Sequence, residues 1–272
     1  MIFTIQGLID RNARLYPNQN WVTCAETGKS VTWLQVKEEA VRISKGLYET
    51  GLEKGQPVGI ASHNSLGNCL TLIGICYGGF LATPLNLVSG EKALQYVVKH
   101  SEVKLILTNP DCCSLIKKVI KNFEENISLI ELDPSKGPVF RDMKIKRKIR
   151  EDPCFLVQST DPTLLMYTSG TTGYPKGVLL SHSNLIAAGS NVHKAHNLTT
   201  SDIAMCVLPI YHINGLCVTI IGTIVSAGQL VMPFKFSLSK FWYDIETVSY
   251  THLRAHETRE DRGCRRVGGK KK

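Results

Sequence analysis

Residues 167–177 read "YTSGTTGYPKG". Between Tyr167 and Gly177 stand the hydroxyls of Thr168, Ser169, Thr171 and Thr172, the glycines Gly170 and Gly173, and Lys176, with no acid among them. That set suits the holding of phosphate. Glycines let backbone N–H groups turn toward an anion, hydroxyls add donors, and a lysine adds charge. It is not a Walker A loop. Counted as G-x-x-x-x-G-K from Gly170, Pro175 stands where glycine is required, and Gly177 follows Lys176 where Ser or Thr belongs. The competing reading is a flexible Ser/Thr/Gly linker. The flanking apolar runs "PTLLM" and "VLLSH" argue against it, because a linker rarely sits between two buried strands.

The elements that must carry this loop can be read from both sides of it. "TIQGLIDRNARLY" predicts a helix capped by Thr4, with Pro17 beyond its end. "WVTCAETGKSVTW" alternates and turns at "ETGK", a hairpin signal. Thr32 and Gln35 form a capping box for a helix running to Gly51. Strand and helix patterns then alternate through "PVGIA", "SLGNCLTLIGICYGG", "LATPLN", "GEKALQYVVKHS", "KLILT", "CCSLIKKVIKNF" and "ISLIEL". A second series holds "TLLMYT", the loop, "GVLLS", a helix over 182–197, "IAMCVLP", the apolar "INGLCVTIIGTIVSAG", "QLVMP" and "LSKFWYDIE".

This alternation predicts an α/β fold with mostly parallel sheets packed by helices. Two α/β subdomains are expected, over 1–133 and 155–248, joined by a basic linker over 134–154. Residues 249–272 lack apolar periodicity and end in lysines. They are expected to be a basic tail, either foreign to the natural continuation or disordered.

Composition narrows the function classes. The net charge of +9 invites a nucleic-acid reading, but residues 251–272 hold eight Lys/Arg against three Asp/Glu, which places over half of it in the tail. A second cluster, "RDMKIKRKIR", reads as a solvated linker, and no aromatics interleave as base-stacking surfaces require. No nucleic-acid partner is therefore expected. The apolar run at 213–228 is too short for a transmembrane segment and carries Gly215, Gly222 and Ser226, so a core helix is expected. Nine cysteines without a C-x-x-C read as buried thiols of a reducing compartment, the cytoplasm or an organelle matrix.

The loop together with the following "LSHSNL" closely resembles the signature of the adenylate-forming superfamily, which includes acyl-CoA synthetases and peptide-synthetase adenylation domains. "GIASHNSLGNCLTLIGICYGGFLATPLN", "VLPIYHINGL" and "KFSLSKFWYDIE" extend the resemblance from about residue 3 to about 247, the last being most like acyl-CoA synthetases. It implies a ligase that joins a carboxylic acid to the α-phosphate of ATP, releases pyrophosphate and passes the acyl group to a thiol, with ATP, Mg2+ and coenzyme A as cofactors. A carboxylate with a pKa of about 4 needs no general base, so the task is positioning and charge neutralisation, which donors and a lysine can supply.

By resemblance, Thr168, Ser169, Gly170, Thr171, Thr172, Gly173 and Lys176 hold the β- and γ-phosphates, and Thr168 is a magnesium contact. His212 borders the acyl pocket by the same resemblance, whereas from the residues alone a satisfied core histidine is preferred. His182 and Asn184 match an H-x-N pattern at a helix start, where a structural role is expected. His193 and His196 read as surface residues.

The aromatic-Gly-x-Thr-Glu segment, the ribose-binding aspartate and the small domain with the catalytic lysine have no counterpart here. The chain is thus expected to be the N-terminal portion of the family's large domain, incomplete and inactive alone, with no catalytic residue of its own. Homo-oligomers are compatible with this reading. The alternatives are an adenylation domain that loads a carrier protein and a catalytically inactive truncated product.

Overall fold

A computed structural model describes residues 3–141, 146, 156–168 and 174–234. The expected helix over "LSKFWYDIE" and the expected tail lie outside the described residues. The first helix, α1 (Ile5–Leu15), starts at Thr4, whose Oγ1 accepts from the Gly7 N–H at 3.0 Å. The hairpin of β1 (Asn20–Cys24) and β2 (Ser30–Thr32) leads into α2 (Trp33–Glu49). The capping box forms in both directions: Gln35 N–H donates to Thr32 Oγ1 at 3.4 Å, and Thr32 N–H donates to Gln35 Oε1 at 2.9 Å.

Alternation follows through β3 (Pro57–Ala61), α3 (Leu66–Tyr77), β4 (Leu81–Pro84), α4 (Glu91–His100), β5 (Leu105–Thr108), α5 (Pro110–Ile120), β6 (Ser128–Asp133) and β7 (Gly137–Pro138). After residue 155 come β8 (Pro162–Thr168), β9 (Lys176–Ser181), α6 (His182–His196) and β10 (Ile203–Met205). A π-helix (Asn214–Ile221), α7 (Gly222–Ser226) and β11 (Gln229–Met232) close the described chain.

The strands form two sheets. One runs β7-β6-β5-β3-β4-β8-β9; its five inner strands are parallel to one another, and the edge strands β7 and β9 pair antiparallel. The other runs β10-β11-β1-β2, with β1 and β10 parallel to β11. Each sheet takes strands from both sides of the 134–154 segment, and that segment itself contributes β7. The fold is therefore the expected α/β class with mostly parallel sheets. Inner parallel strands covered on both faces read as near-continuous apolar runs, and β4 and β5 are buried at every position, Thr83 and Thr108 included.

Every residue of α3 is buried. Gly67 permits this: a Cβ there would lie 2.1 Å from the Asp133 carbonyl oxygen and 2.7 Å from the Gly137 nitrogen, so the helix could not sit against the β6–β7 turn with any side chain. Trp21 stacks on Trp33 with ring centroids 5.2 Å apart, and Trp21 Nε1–H donates to Thr223 Oγ1 at 3.2 Å. A second core lies under α4 and α5, built from Leu94, Val97, Val98, Ile106, Ile116 and Val119. The apolar run at 213–228 is a π-helix passing into α7, and no helix among the described residues is long and apolar enough to cross a membrane. Six of the seven described cysteines are buried and all seven are unpaired.

Candidate functional site

The strands on either side of the loop form a hairpin. β8 runs parallel to β4 and then pairs antiparallel with β9, with Thr168 opposite Lys176 and Tyr167 opposite Gly177. Because β8 is parallel to the inner strands, its end points to the carboxyl edge of the sheet, where α/β proteins bind ligands. The structure brings Thr168 and Lys176 together at the two stems, and both are exposed. Thr168 Oγ1 lies 3.5 Å from the Lys176 carbonyl oxygen, a long contact that leaves the hydroxyl open to a ligand. Ser169, Gly170, Thr171, Thr172 and Gly173 lie outside the described residues.

Directly before Thr168, the Tyr167 hydroxyl is 2.8 Å from His100 Nδ1. Burial pushes the phenol up to about 12, so it stays protonated, and the tautomer of His100 sets which of the two atoms donates.

His212 lies in the segment after β10, a strand of the four-stranded sheet. It is exposed, which removes the core-histidine alternative. Its N–H donates to the Pro209 carbonyl at 2.9 Å, its carbonyl accepts from the Leu216 N–H at 3.1 Å, and its ring is 4.8 Å from that of Tyr211. Asn64, from the loop after β3, fixes this segment. Its Nδ2 donates to the Leu208 carbonyl at 2.9 Å, and its Oδ1 accepts from the Ile210 N–H at 3.1 Å. A glycine follows at 215 because a Cβ would meet the Leu208 and Pro209 carbonyls at 2.8 and 2.9 Å. Sequence reasoning passed over Asn64. The only local signal was an Asn in the turn before a helix, which reads as helix entry.

His182 and Asn184 are structural. Ser181 caps α6, and Asn184 completes a capping box with it. His182 is fully buried, and its Nδ1 accepts from the Ile5 N–H at 3.2 Å. Ile5 is the first residue of α1, so a histidine 177 positions away satisfies one of the N–H groups a helix start leaves free. That bond puts the ring proton on Nε2, which has no hydrogen-bond partner among the described residues. His193 and His196 are half-buried rather than on the open surface.

A largely parallel α/β sheet whose carboxyl edge carries a Gly/Thr/Ser loop without acids resembles the adenylate-forming class. The chain belongs to the family of AMP-binding enzymes, whose model matches residues 9–256. A sulfoacetate–CoA ligase of Cupriavidus necator is 33% identical over 246 residues, covering 89% of this chain and 47% of that protein. The N-terminal domain of FACL13 from Mycobacterium tuberculosis superposes with a TM-score of 0.78 at 21% identity, over 92% of this chain and 62% of that one. ATP-bound MatB from Rhodopseudomonas palustris superposes with a TM-score of 0.73 at 23% identity, over 89% of this chain and 48% of that one. The chain spans about half the length of the curated relatives it matches.

Proposed function

We propose that the chain supplies the ATP-phosphate-binding part of an AMP-forming acid–thiol ligase. A small carboxylic acid would attack the α-phosphate of ATP, pyrophosphate would leave, and the acyl group would pass from the adenylate to coenzyme A. The observation that carries this is the exposed pair of Thr168 and Lys176, in register at the stems of a loop without acids. Lys176 neutralises phosphate charge as a carboxylate approaches a polyanion. Ser169, Gly170, Thr171, Thr172 and Gly173 add the donors between the stems.

The Thr168 hydroxyl is a hard oxygen open to solvent, and it fits a magnesium ion that takes most of its ligands from phosphates and water. Coenzyme A rather than a carrier protein is the acceptor thiol; the naming of the Cupriavidus relative as a CoA ligase supports this.

His212 orients the acid. Its exposure and its place on a segment separate from the hairpin support that role. In a version extended to the relatives' full length, His212→Ala is expected to raise KM for the acid several-fold more than KM for ATP, measured by pyrophosphate exchange. A change confined to thermal stability would remove His212 from the site.

Residues 1–272 alone are expected to bind nucleotide weakly and not to turn over, because phosphate contacts open to water are screened by salt. The exposed apolar side chains of Val178 and Leu179 on β9 are expected to lower solubility. The experiment is carboxylate-dependent pyrophosphate release by the purified chain with ATP, magnesium and a panel of acids. Robust release from a soluble monomer would overturn the view that this chain is only part of the site.

A further inference from the structure

Two side chains on one face of α4 reach both stems of the loop. Tyr96 and His100 are four residues apart, so they share a face, and their rings stack at 5.4 Å with 29° between planes. His100 meets Tyr167 edge-on, with ring centroids 5.7 Å apart, planes at 86° and the hydrogen bond of 2.8 Å. Tyr96 meets Tyr174 at 5.0 Å. Tyr167 immediately precedes Thr168, and Tyr174 stands two residues before Lys176. Such separations and tilts are those at which aromatic rings attract.

The helix is a firm base. Leu94, Val97 and Val98 are buried in the second core, and Glu91 bridges to Lys118 of α5 at 2.7 Å. Tyr174 itself is 67% exposed, so its contact with Tyr96 adds little to the core.

We infer that Tyr96 and His100 are positioning residues that grip the two stems of the loop and hold Thr168 and Lys176 at a spacing from which both can reach one polyphosphate. The inference rests on the phosphate-binding reading above and assigns that site a support outside the motif. Tyr174 is the reciprocal partner: an aromatic in the loop's descending stem, where the chemistry of phosphate binding asks for nothing aromatic.

The test uses the 272-residue chain and the variants Tyr174→Ala, Tyr174→Phe, Tyr96→Ala and Lys176→Ala. Two readouts are taken. One is the rate of native-state trypsin cleavage after Lys176 without ligand. The other is the affinity for magnesium tripolyphosphate by calorimetry. Loss of one aromatic pair is expected to speed cleavage and weaken affinity by about two- to tenfold in Tyr174→Ala and Tyr96→Ala. Tyr174→Phe should behave as the parent, and the melting temperature of Tyr174→Ala should be unchanged.

Tyr174→Ala that leaves both readouts unchanged overturns the inference, and its solvent-exposed site keeps misfolding from deciding the outcome. Affinity that falls in Lys176→Ala but not in the aromatic variants overturns the grip alone. A parent chain that binds no tripolyphosphate, or binds it equally well after Lys176→Ala, overturns the phosphate reading and the inference with it.

Discussion

Lowering the pH from 6.5 to 4 is expected to destabilise the protein by about 3 kcal/mol through His182 alone. Burial pushes this imidazole down to about 4, with Asp161 opposing the shift and Lys54 reinforcing it. Well above pH 6.5 neither the folded nor the unfolded chain protonates the group, and stability does not depend on pH through it. Between those values the unfolded chain takes up a proton that the folded chain refuses, so stability falls as the pH falls. Below about 4 both states are protonated and the loss is complete. Protonation would also place a hydrogen on Nδ1, where the Ile5 N–H now donates, and so release the start of α1. Urea unfolding of the parent and of His182→Asn across this range isolates the effect, because other acid-sensitive groups are common to both. The two stability curves should converge toward acid. Parallel curves would mean that His182 titrates normally.

Lys176→Ala is expected to cost adenylation roughly 1.5 to 3 kcal/mol, the worth of one charge-assisted contact, or about 10- to 150-fold in pyrophosphate exchange. The measurement belongs in a version extended to the relatives' full length. Lys176 is exposed, so its truncation disturbs no core and the loss would be read directly as lost binding or rate. Exchange equal to the parent's would make Lys176 an ordinary solvated side chain on an edge hairpin.

Elements set by neighbouring residues were legible in the sequence. Thr4, Thr32 with Gln35, and the α/β alternation all act within a few positions, and the helices and strands form where those signals lie. Pairings set by distant residues were not. Nothing near Val22 says that its strand neighbours will include Leu230. Nothing near His182 says that its ring will cap a helix at Ile5. The hairpin of β8 and β9 reads as two separate strands because a long polar loop gives no turn type. The π-helix was hidden because a run apolar on every side carries no period from which its turn could be read. For the candidate site, residue type alone singled out Thr168 and Lys176, which the structure pairs across the hairpin. Asn64, Tyr96 and His100 were not, because each acts through a contact with a distant segment.

The parallel pairing of β1 with β11 has a consequence for how the chain is made. Residues 20–24 find β2 within a few positions, but their other neighbour begins at residue 229. At about 5 to 20 residues per second, one edge of β1 waits roughly 10 to 40 s for its partner. Trp21 and Val22, wholly buried at the end, spend that interval without the strand that shelters them. Translation speed and holding chaperones thus become determinants of yield, acting on β1 long before any ligand could bind.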